Sequence, residues 1–476
     1  MSERGGGPAT LTVGEVTALA RGRCLSGALD ASVRGAGIDT RTMNPGMLFV
    51  ALPGTHTDGH RFVGEAIRRG AAAVLVARPP EEVVSDAAVI LVPDTLRALH
   101  RLARGVRERQ GPRVVGITGS VGKTSTKEMA AAVAAKAFCT ARSPETWNTE
   151  IGIPLVLMNM PADCEVAVLE LAMRGPGQIR ELAEVCRPDI GVVTNVGESH
   201  LHFFPSRAAL AAAKGELVEA LPAQGTAILN ADDPLVAALR ERTSAHVLFF
   251  GDRGDVRAEE VRARPPRAST FRLRTPRGAA YVTLPMPGPH AVANALAAAA
   301  VGIALGLSAE AIALGLGEAA PLPMRLEVIA RGGVTVVNDV YNSSPQSMSV
   351  ALDMVDGIEG SPRVAVLGDM KELGAVSVDA HWAVGREAAH RRFDLIIAFG
   401  PLARDLAAAA RAEGAARVEH TNELTDVVAL LRRELVPGSV VLLKGSRAMA
   451  MERITAALTR CEPAATQRGG AGTWDL

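Results

Sequence analysis

One short run, 116-GITGSVGKTSTKEM-129, constrains the fold more than any other part of the chain. A β-rich segment, 113-RVVGIT-118, leads straight into two closely spaced glycines, and a helical pattern follows directly. Glycines let a backbone curl around an anion, and the N–H groups at a helix N-terminus favour negative charge. The strict phosphate-loop pattern, G-x-x-x-x-G-K-[ST], requires a glycine five residues before Gly122, yet position 117 is Ile. The strand–loop–helix context still predicts an ATP site built from Thr118, Gly119, Ser120, Val121, Gly122, Lys123, Thr124 and Ser125. In it Lys123 reaches the terminal phosphates and the Thr124 hydroxyl coordinates Mg²⁺. A glycine-rich turn before a helix is the bland alternative.

Around this loop the chain reads as three blocks. The first, residues 1–108, mixes short apolar runs (47-MLFVAL-52, 72-AAVLVA-77, 88-AVILVP-93) with one helical pattern, 61-RFVGEAIRRG-70. An Arg-rich stretch ending in Gln110, Gly111 and Pro112 suits a boundary. The second block, 109–321, alternates strand candidates (113–118, 165–171, 190–195, 226–230) with helical candidates (124–138, 207–220, 291–306). That alternation predicts a largely parallel sheet covered by helices. Residues 252–285, rich in Arg, Pro and Thr, read as an irregular or antiparallel insertion. The third block, 322–460, repeats the alternation with strands at 334–339, 363–369, 394–400 and 439–446, as in a smaller Rossmann-like domain. The tail, 461–476, is turn-rich and aperiodic, and disorder is expected there.

Composition narrows the function. Lys+Arg and Asp+Glu both total 51, and no basic stripe carries interleaved aromatics, which argues against nucleic acid or anionic membrane as partners. The longest apolar run, 291-AVANALAAAAVGIALGL-307, is Ala-rich and too short for a comfortable membrane span, so a buried helix is expected. The start lacks a signal-peptide core, and the five cysteines are scattered without a C-x-x-C pair. Both features suit a reducing cytosol and disfavour zinc or a disulfide framework. Only six lysines occur: Lys123, Lys127, Lys136, Lys214, Lys371 and Lys444. Where an arginine-rich chain keeps lysine, an amine is a candidate requirement that guanidinium cannot meet, although a solvated surface lysine is the simpler reading.

Other candidates sit at predicted strand ends, where ligands gather in parallel α/β sheets. Glu170 ends one strand, His200 follows another in 190-IGVVTNVGESH-200, and Lys214 lies on a helix in 211-AAAKGE-216. Singly, each has an ordinary structural reading. Together, TGSVGKT, LEL, NVGESHLHFFPS, AAKGEL, GPHAVANALAAAAV, MRLEV, NDVYNSSPQSM, LGDMKELG and KGSRAMAMERI stand in the order found in Mur ligases, the ATP-dependent peptide ligases of peptidoglycan precursor synthesis. The resemblance runs over roughly 35–458, and the variant loop T-G-x-x-G-K-[ST] is itself the family's habit.

The resemblance implies an N-terminal UDP-binding α/β domain, a central parallel-sheet ATPase domain and a C-terminal Rossmann-like domain. It implies that Lys123 contacts the β/γ phosphates and that Thr124 and Ser125 serve metal and phosphate. It further implies that Glu170 and His200 support two Mg²⁺ ions, and that Lys214 is carbamylated into a further metal ligand. Asn294 would bond the adenine edge, Arg325 the γ-phosphate and Asp339 the ribose. Thr40 and Arg41 are expected at the uridine diphosphate, an arginine pairing well with phosphate oxygens. Gly54, Asp58 and His60 are weaker candidates that a capped turn explains nearly as well.

Two segments depart from the pattern. The acceptor-side run D-x-Y-N-A-N-P-x-S-M becomes 339-DVYNSSPQSM-348, keeping Tyr341 and Asn342 but changing Ser343 and Ser344. On the tripeptide side, G-N-x-N-N-E-I-G becomes 145-ETWNTEIG-152, keeping Asn148, Glu150 and Gly152, while Thr149 retains a hydroxyl that would serve near phosphate. Within the family the resemblance points to joining of D-alanyl-D-alanine to a UDP-N-acetylmuramoyl-tripeptide through an acyl phosphate, by a monomeric enzyme. Three readings compete. A sister ligase adds the third peptide residue, but the D-N-P-R of its diaminopimelate-selective form is missing here. Folylpolyglutamate synthetase fits the first block poorly. A non-ligase nucleotide switch would turn over ATP whatever the acceptor.

Overall fold

The computed structural model describes residues 6–54, 57–80, 87–144, 147–197, 203–264 and 268–459; the tail expected to be disordered lies outside them. The three apolar runs of the first block become strands Leu48–Val50, Ala73–Val76 and Ala88–Leu91. With Ala36–Gly37 they form a parallel array that Arg23–Ser26 closes as an antiparallel edge. Every residue of Ala73–Val76 is buried, because both sheet faces are covered, and its sequence is accordingly a continuous apolar run.

The Arg-rich stretch before Gly111 is the 16-residue helix Thr95–Gln110. Asp94 caps it by accepting the Arg97 N–H, and Gly111 ends it in left-handed backbone. Its buried residues (Thr95, Ala98, Leu99, Leu102, Ala103, Val106) recur every three or four positions, one stripe beneath a coat of arginines. That stripe packs on helices Gly152–Asn159 and Gln178–Cys186 of the second block. One continuous apolar core therefore runs from Leu11 through Leu102 to Leu169 and Leu217.

The central sheet is fully parallel. Its order is His246–Phe250, Thr226–Asn230, Ile190–Val193, Arg113–Thr118, Val166–Glu170 and Thr140–Arg142. Strand Arg113–Thr118 lies between Ile190–Val193 and Val166–Glu170, with Val193 opposite Thr118 and Glu170 opposite Ile117. Three strand ends thus reach one rim, where the chain order changes direction. The 252–285 segment is an antiparallel three-stranded sheet, Arg257–Arg264, Ala268–Thr275 and Gly278–Leu284. The Ala-rich run is the buried helix Pro289–Leu305. It packs on the helix that leaves the loop, Lys123–Ala134. Among the described residues no helix is long and apolar enough to cross a membrane.

The third block is a six-stranded sheet. A hairpin, Glu327–Arg331 and Val334–Asp339, is followed in parallel by Val440–Lys444, Arg363–Gly368, Leu395–Phe399 and Val418–Thr421. Helices cover both faces over separate apolar clusters.

Candidate active site

The rim of the central sheet and the third block enclose a cleft of about 930 Å³. Its floor is the glycine loop. Gly119 (φ 152°) and Gly122 (φ 82°) adopt backbone that side-chain-bearing residues avoid. A methyl group would strike Thr194 Oγ1 at the first and Asn294 Oδ1 at the second. The segment after Ile190–Val193 clamps the loop. Ser120 N donates to Asn195 O at 3.0 Å, Val121 N to Asn195 Oδ1 at 3.0 Å, and Gly197 N to Ser120 Oγ at 2.9 Å. The loop carbonyls of Gly119 and Ser120 accept from Lys123 Nζ at 2.8 and 3.1 Å. Burial pushes the Lys123 amine below its ordinary pKa, Glu170 pulls it back up, and Arg325 adds to the lowering.

Beside the loop, Thr124 Oγ1 donates to Glu170 Oε2 at 2.7 Å and Asn148 Nδ2 to Glu170 Oε1 at 3.0 Å. Glu170 is buried. Its position is braced from behind: Glu170 N donates to Ser143 Oγ at 3.2 Å, and the Ser143 carbonyl accepts from buried Lys127 Nζ at 2.6 Å. A carboxylate and a hydroxyl side by side are hard oxygen donors of the kind Mg²⁺ takes. Lys214 is buried on helix Arg207–Glu219. Its pKa is driven well below the ordinary value, first by burial and then by the positive charge of Lys123. Lys214 does not line the cleft, and its burial disposes the amine to be neutral.

The far wall comes from the third block. Asp339 Oδ2 accepts from the buried Lys444 Nζ at 2.6 Å, and Lys444 also donates to Asn342 O at 3.0 Å. Arg325 stacks on Tyr341, its Cζ 3.9 Å from the ring centroid. Met324 (φ 58°) and Leu326 (φ 51°), on either side of Arg325, both hold left-handed backbone. Asp339 Oδ1 accepts the Leu326 N–H at 3.2 Å, and Tyr341 N donates to Met324 O at 3.2 Å. His290, at the start of helix Pro289–Leu305, lines the cleft, and burial lowers its pKa to about 4.

The cleft thus gathers Ser120 to Ser125, Glu170, Asn148, Asn294, Arg325, Asp339, Tyr341 and Asn342, all singled out in the sequence. His200 lies outside the described residues. Thr118 and Thr149 do not line the cleft; Thr149 Oγ1 instead accepts the Gly152 N–H at 3.4 Å. Thr40 and Arg41 are also apart from it. Thr40 is buried, and the exposed Arg41 guanidinium is bonded to Asp39 by contacts of 2.6–3.2 Å. Asp58 and His60 form a capped turn. Asp58 accepts from His60 N and lies 2.7 Å from its Nδ1, while Arg78 reaches the other carboxylate oxygen. Ser344 caps helix Pro345–Asp356 and forms a capping box with Ser347, so serine in place of asparagine keeps a capping residue. Sequence reasoning missed the Asn195 clamp, Gln346 and Ser347. It also missed the specific partners of Lys127 and Lys444, although the scarcity of lysine drew attention to both and Lys444 opens the KGSRAMAMERI motif.

Comparison with known proteins agrees with this geometry. Residues 32–107 match the family model described as Mur ligase family, catalytic domain; 117–302 match the Mur ligase middle domain; 324–447 match the Mur ligase glutamate ligase domain. The UDP-N-acetylmuramoyl-tripeptide–D-alanyl-D-alanine ligase of Bacillus subtilis (strain 168) is 35% identical over 436 residues, covering 89% of this chain and 92% of the relative. A crystal structure of MurF from Acinetobacter baumannii superposes with a TM-score of 0.87 at 31% identity, covering 95% of this chain and 99% of that one. MurF ligase from Thermotoga maritima in complex with ADP gives 0.78 at 29% identity, over 88% and 96%. The loop, the strand-end carboxylate and the three matched segments agree: this chain belongs to the Mur ligase family.

Proposed function

We propose that the chain joins D-alanyl-D-alanine to the terminal carboxylate of UDP-N-acetylmuramoyl-tripeptide at the expense of ATP, releasing ADP and phosphate. The observation that carries this reading is the cleft itself, in which a glycine phosphate loop faces oxygen donors on one side and a second sheet's strand ends on the other. The named relatives, similar over nine-tenths of the chain, supply the substrate class.

A carboxylate is a poor acylating agent because its leaving group is oxide-like. Transfer of the γ-phosphoryl group forms a carboxylate O–P bond and breaks the bond to ADP. The acceptor amine then attacks the acyl carbon, loses its proton, and the tetrahedral adduct expels phosphate. Lys123 pairs with the terminal phosphates, with Ser120, Val121 and Ser125 around it, and Arg325 approaches the γ-phosphate from the third block. Asn294 and Asp339 suit the adenine edge and ribose, and Tyr341 and Asn342 the acceptor. Asn148 holds Glu170. Thr124 and Glu170 would hold a Mg²⁺ ion, which when bound neutralises phosphate charge that would otherwise repel the carboxylate. Positioning and charge neutralisation carry the chemistry, and no covalent enzyme intermediate is needed.

Lys214 fits the carbamate reading. A neutral amine can attack CO₂, forming an N–C bond as one C=O π bond opens onto oxygen, and the nitrogen then loses a proton to water. The resulting anion would lie within the field of the Lys123 cation. Lys214→Arg is expected to lower turnover about 10–100-fold, the scale of losing a ligand-supporting group. Full activity in that variant would remove the carbamate role.

The testing experiment is phosphate release from ATP and Mg²⁺ with UDP-N-acetylmuramoyl-tripeptide, with and without D-alanyl-D-alanine, the product being identified by mass. Release requiring both substrates is expected. Release supported by the dipeptide nucleotide and a diamino acid would instead identify the sister ligase, and release indifferent to any acceptor would leave a nucleotide switch.

A further inference from the structure

Ser343 is buried, and its hydroxyl has no hydrogen-bond partner although it lines the cleft. A buried hydroxyl left unbonded is costly, and such a group calls for an explanation, a bound partner being one. Its surroundings define the ligand's charge. Ser343 immediately precedes the cap of helix Pro345–Asp356, whose N-terminal end carries the positive pole of a 12-residue helix. The Lys444 ammonium is bonded to the carbonyl of the preceding residue, Asn342. The Asn342 carboxamide oxygen already accepts the Ser343 N–H at 2.9 Å, so it is not the partner of the Ser343 hydroxyl.

The position of the helix end relative to the reacting groups is also fixed. Gln346, in its first turn, reaches the loop so closely that a methyl group on Gly197 would collide with its Oε1. Gly197 in turn is bonded to Ser120 of the phosphate loop. The helix end therefore faces the terminal-phosphate end of the cleft, where an acyl phosphate would form. A dipeptide whose amine attacks there extends its own carboxylate about 7 Å away, two residues of extended chain. The nucleotide phosphates already have the glycine loop.

Resting on the activity proposed above, we infer that Ser343 is a specificity-determining residue. Its hydroxyl, at the N-terminal end of helix Pro345–Asp356, donates to the C-terminal carboxylate of the acceptor dipeptide. The family pattern has alanine at this position, so the contact would be an addition in this chain.

The test uses the full-length chain with ATP, Mg²⁺ and UDP-N-acetylmuramoyl-tripeptide, comparing D-alanyl-D-alanine with its C-terminal amide as acceptors. The wild type should favour the free acid. Ser343→Ala should raise the KM for the acid about tenfold or more, the scale of a hydrogen bond to a charged group. It should leave the KM for the amide and for ATP near wild type, and Ser343→Thr should restore most of the loss. Binding of ATP by each variant checks folding. An unchanged KM for the acid in an ATP-binding Ser343→Ala overturns the inference, as does a rise confined to ATP, which would assign the hydroxyl to nucleotide phosphate. A wild type inert toward both dipeptides would overturn the activity and this inference together, whereas an active wild type separates the two.

Discussion

Gly122, at φ 82°, holds backbone that side-chain-bearing residues rarely adopt, and a Cβ there would meet Asn294 Oδ1. Gly122→Ala is expected to cost about 1–3 kcal/mol from left-handed backbone alone. It should weaken ATP binding further, since Asn294 must move; denaturant unfolding and nucleotide titration measure the two separately, and unaltered ATP affinity would detach this glycine from the nucleotide. His290 gives a pH signature. Burial lowers its folded pKa to about 4, whereas an unfolded histidine titrates near 6.5. Between those values the unfolded chain holds the extra proton, so stability should fall as pH drops from 6.5 towards 4 and that contribution should level off below. Replacing His290 with Asn should flatten the slope in that window. A denaturation midpoint whose pH dependence is the same in both proteins would refute the assignment. The retained lysines share one residue-level feature: Lys127, Lys214 and Lys444 are all buried, and Lys127 and Lys444 each place their amine on a backbone carbonyl.

Helix Thr95–Gln110 joins the first two blocks into one core, so its buried stripe should matter beyond its own block. Leu102 is fully buried, and Leu102→Ala is expected to destabilise by about 2–5 kcal/mol. Loss of the Asp94 cap should cost about 1 kcal/mol. Urea unfolding monitored in both blocks should report one shared shift; a shift confined to the first block would mean that the core is not continuous. This helix also marks the limit of what the sequence revealed. The parallel strands were legible because strands buried on both faces are unbroken apolar runs. The loop was legible because strand, glycines and helix are neighbours in the chain. The helix was hidden because its arginines dominate the local average, although the spacing of Ala98, Leu99, Leu102 and Val106 was there to be counted. The edge strands Thr140–Arg142 and His246–Phe250 were unread for a similar reason, carrying polar or half-exposed residues. Long-range pairings had no local signature at all. Asn159 bonds both backbone groups of Ala36, 123 residues away, and Lys444 meets Asp339 across 105.

At the scale of the molecule, the cleft exists only because the third block lies against the central rim, and the Asp339–Lys444 pair ties its wall together. Asp339 serves the linker through Leu326 N, the cleft face through its position, and Lys444 through its second oxygen. Removing one member of a buried pair strands the other charge, so Lys444→Met should destabilise the third block by about 3–5 kcal/mol. Combining it with Asp339→Asn should recover part of that loss, because no buried charge then remains. Nucleotide should act on both blocks at once. A ligand at 100 times its Kd stabilises what it binds by about 2.7 kcal/mol. If Lys123 and Arg325 grip the same nucleotide, an ATP analogue should slow amide exchange in strand Arg113–Thr118 and in strand Val334–Asp339 together. Lys444→Met should keep the first protection and lose the second, because the loop does not depend on the pair but the far wall does. Protection confined to the central sheet in the wild type would mean that the third block is a bystander to ATP binding, and that the acceptor wall closes on the phosphate loop only when the other substrates arrive.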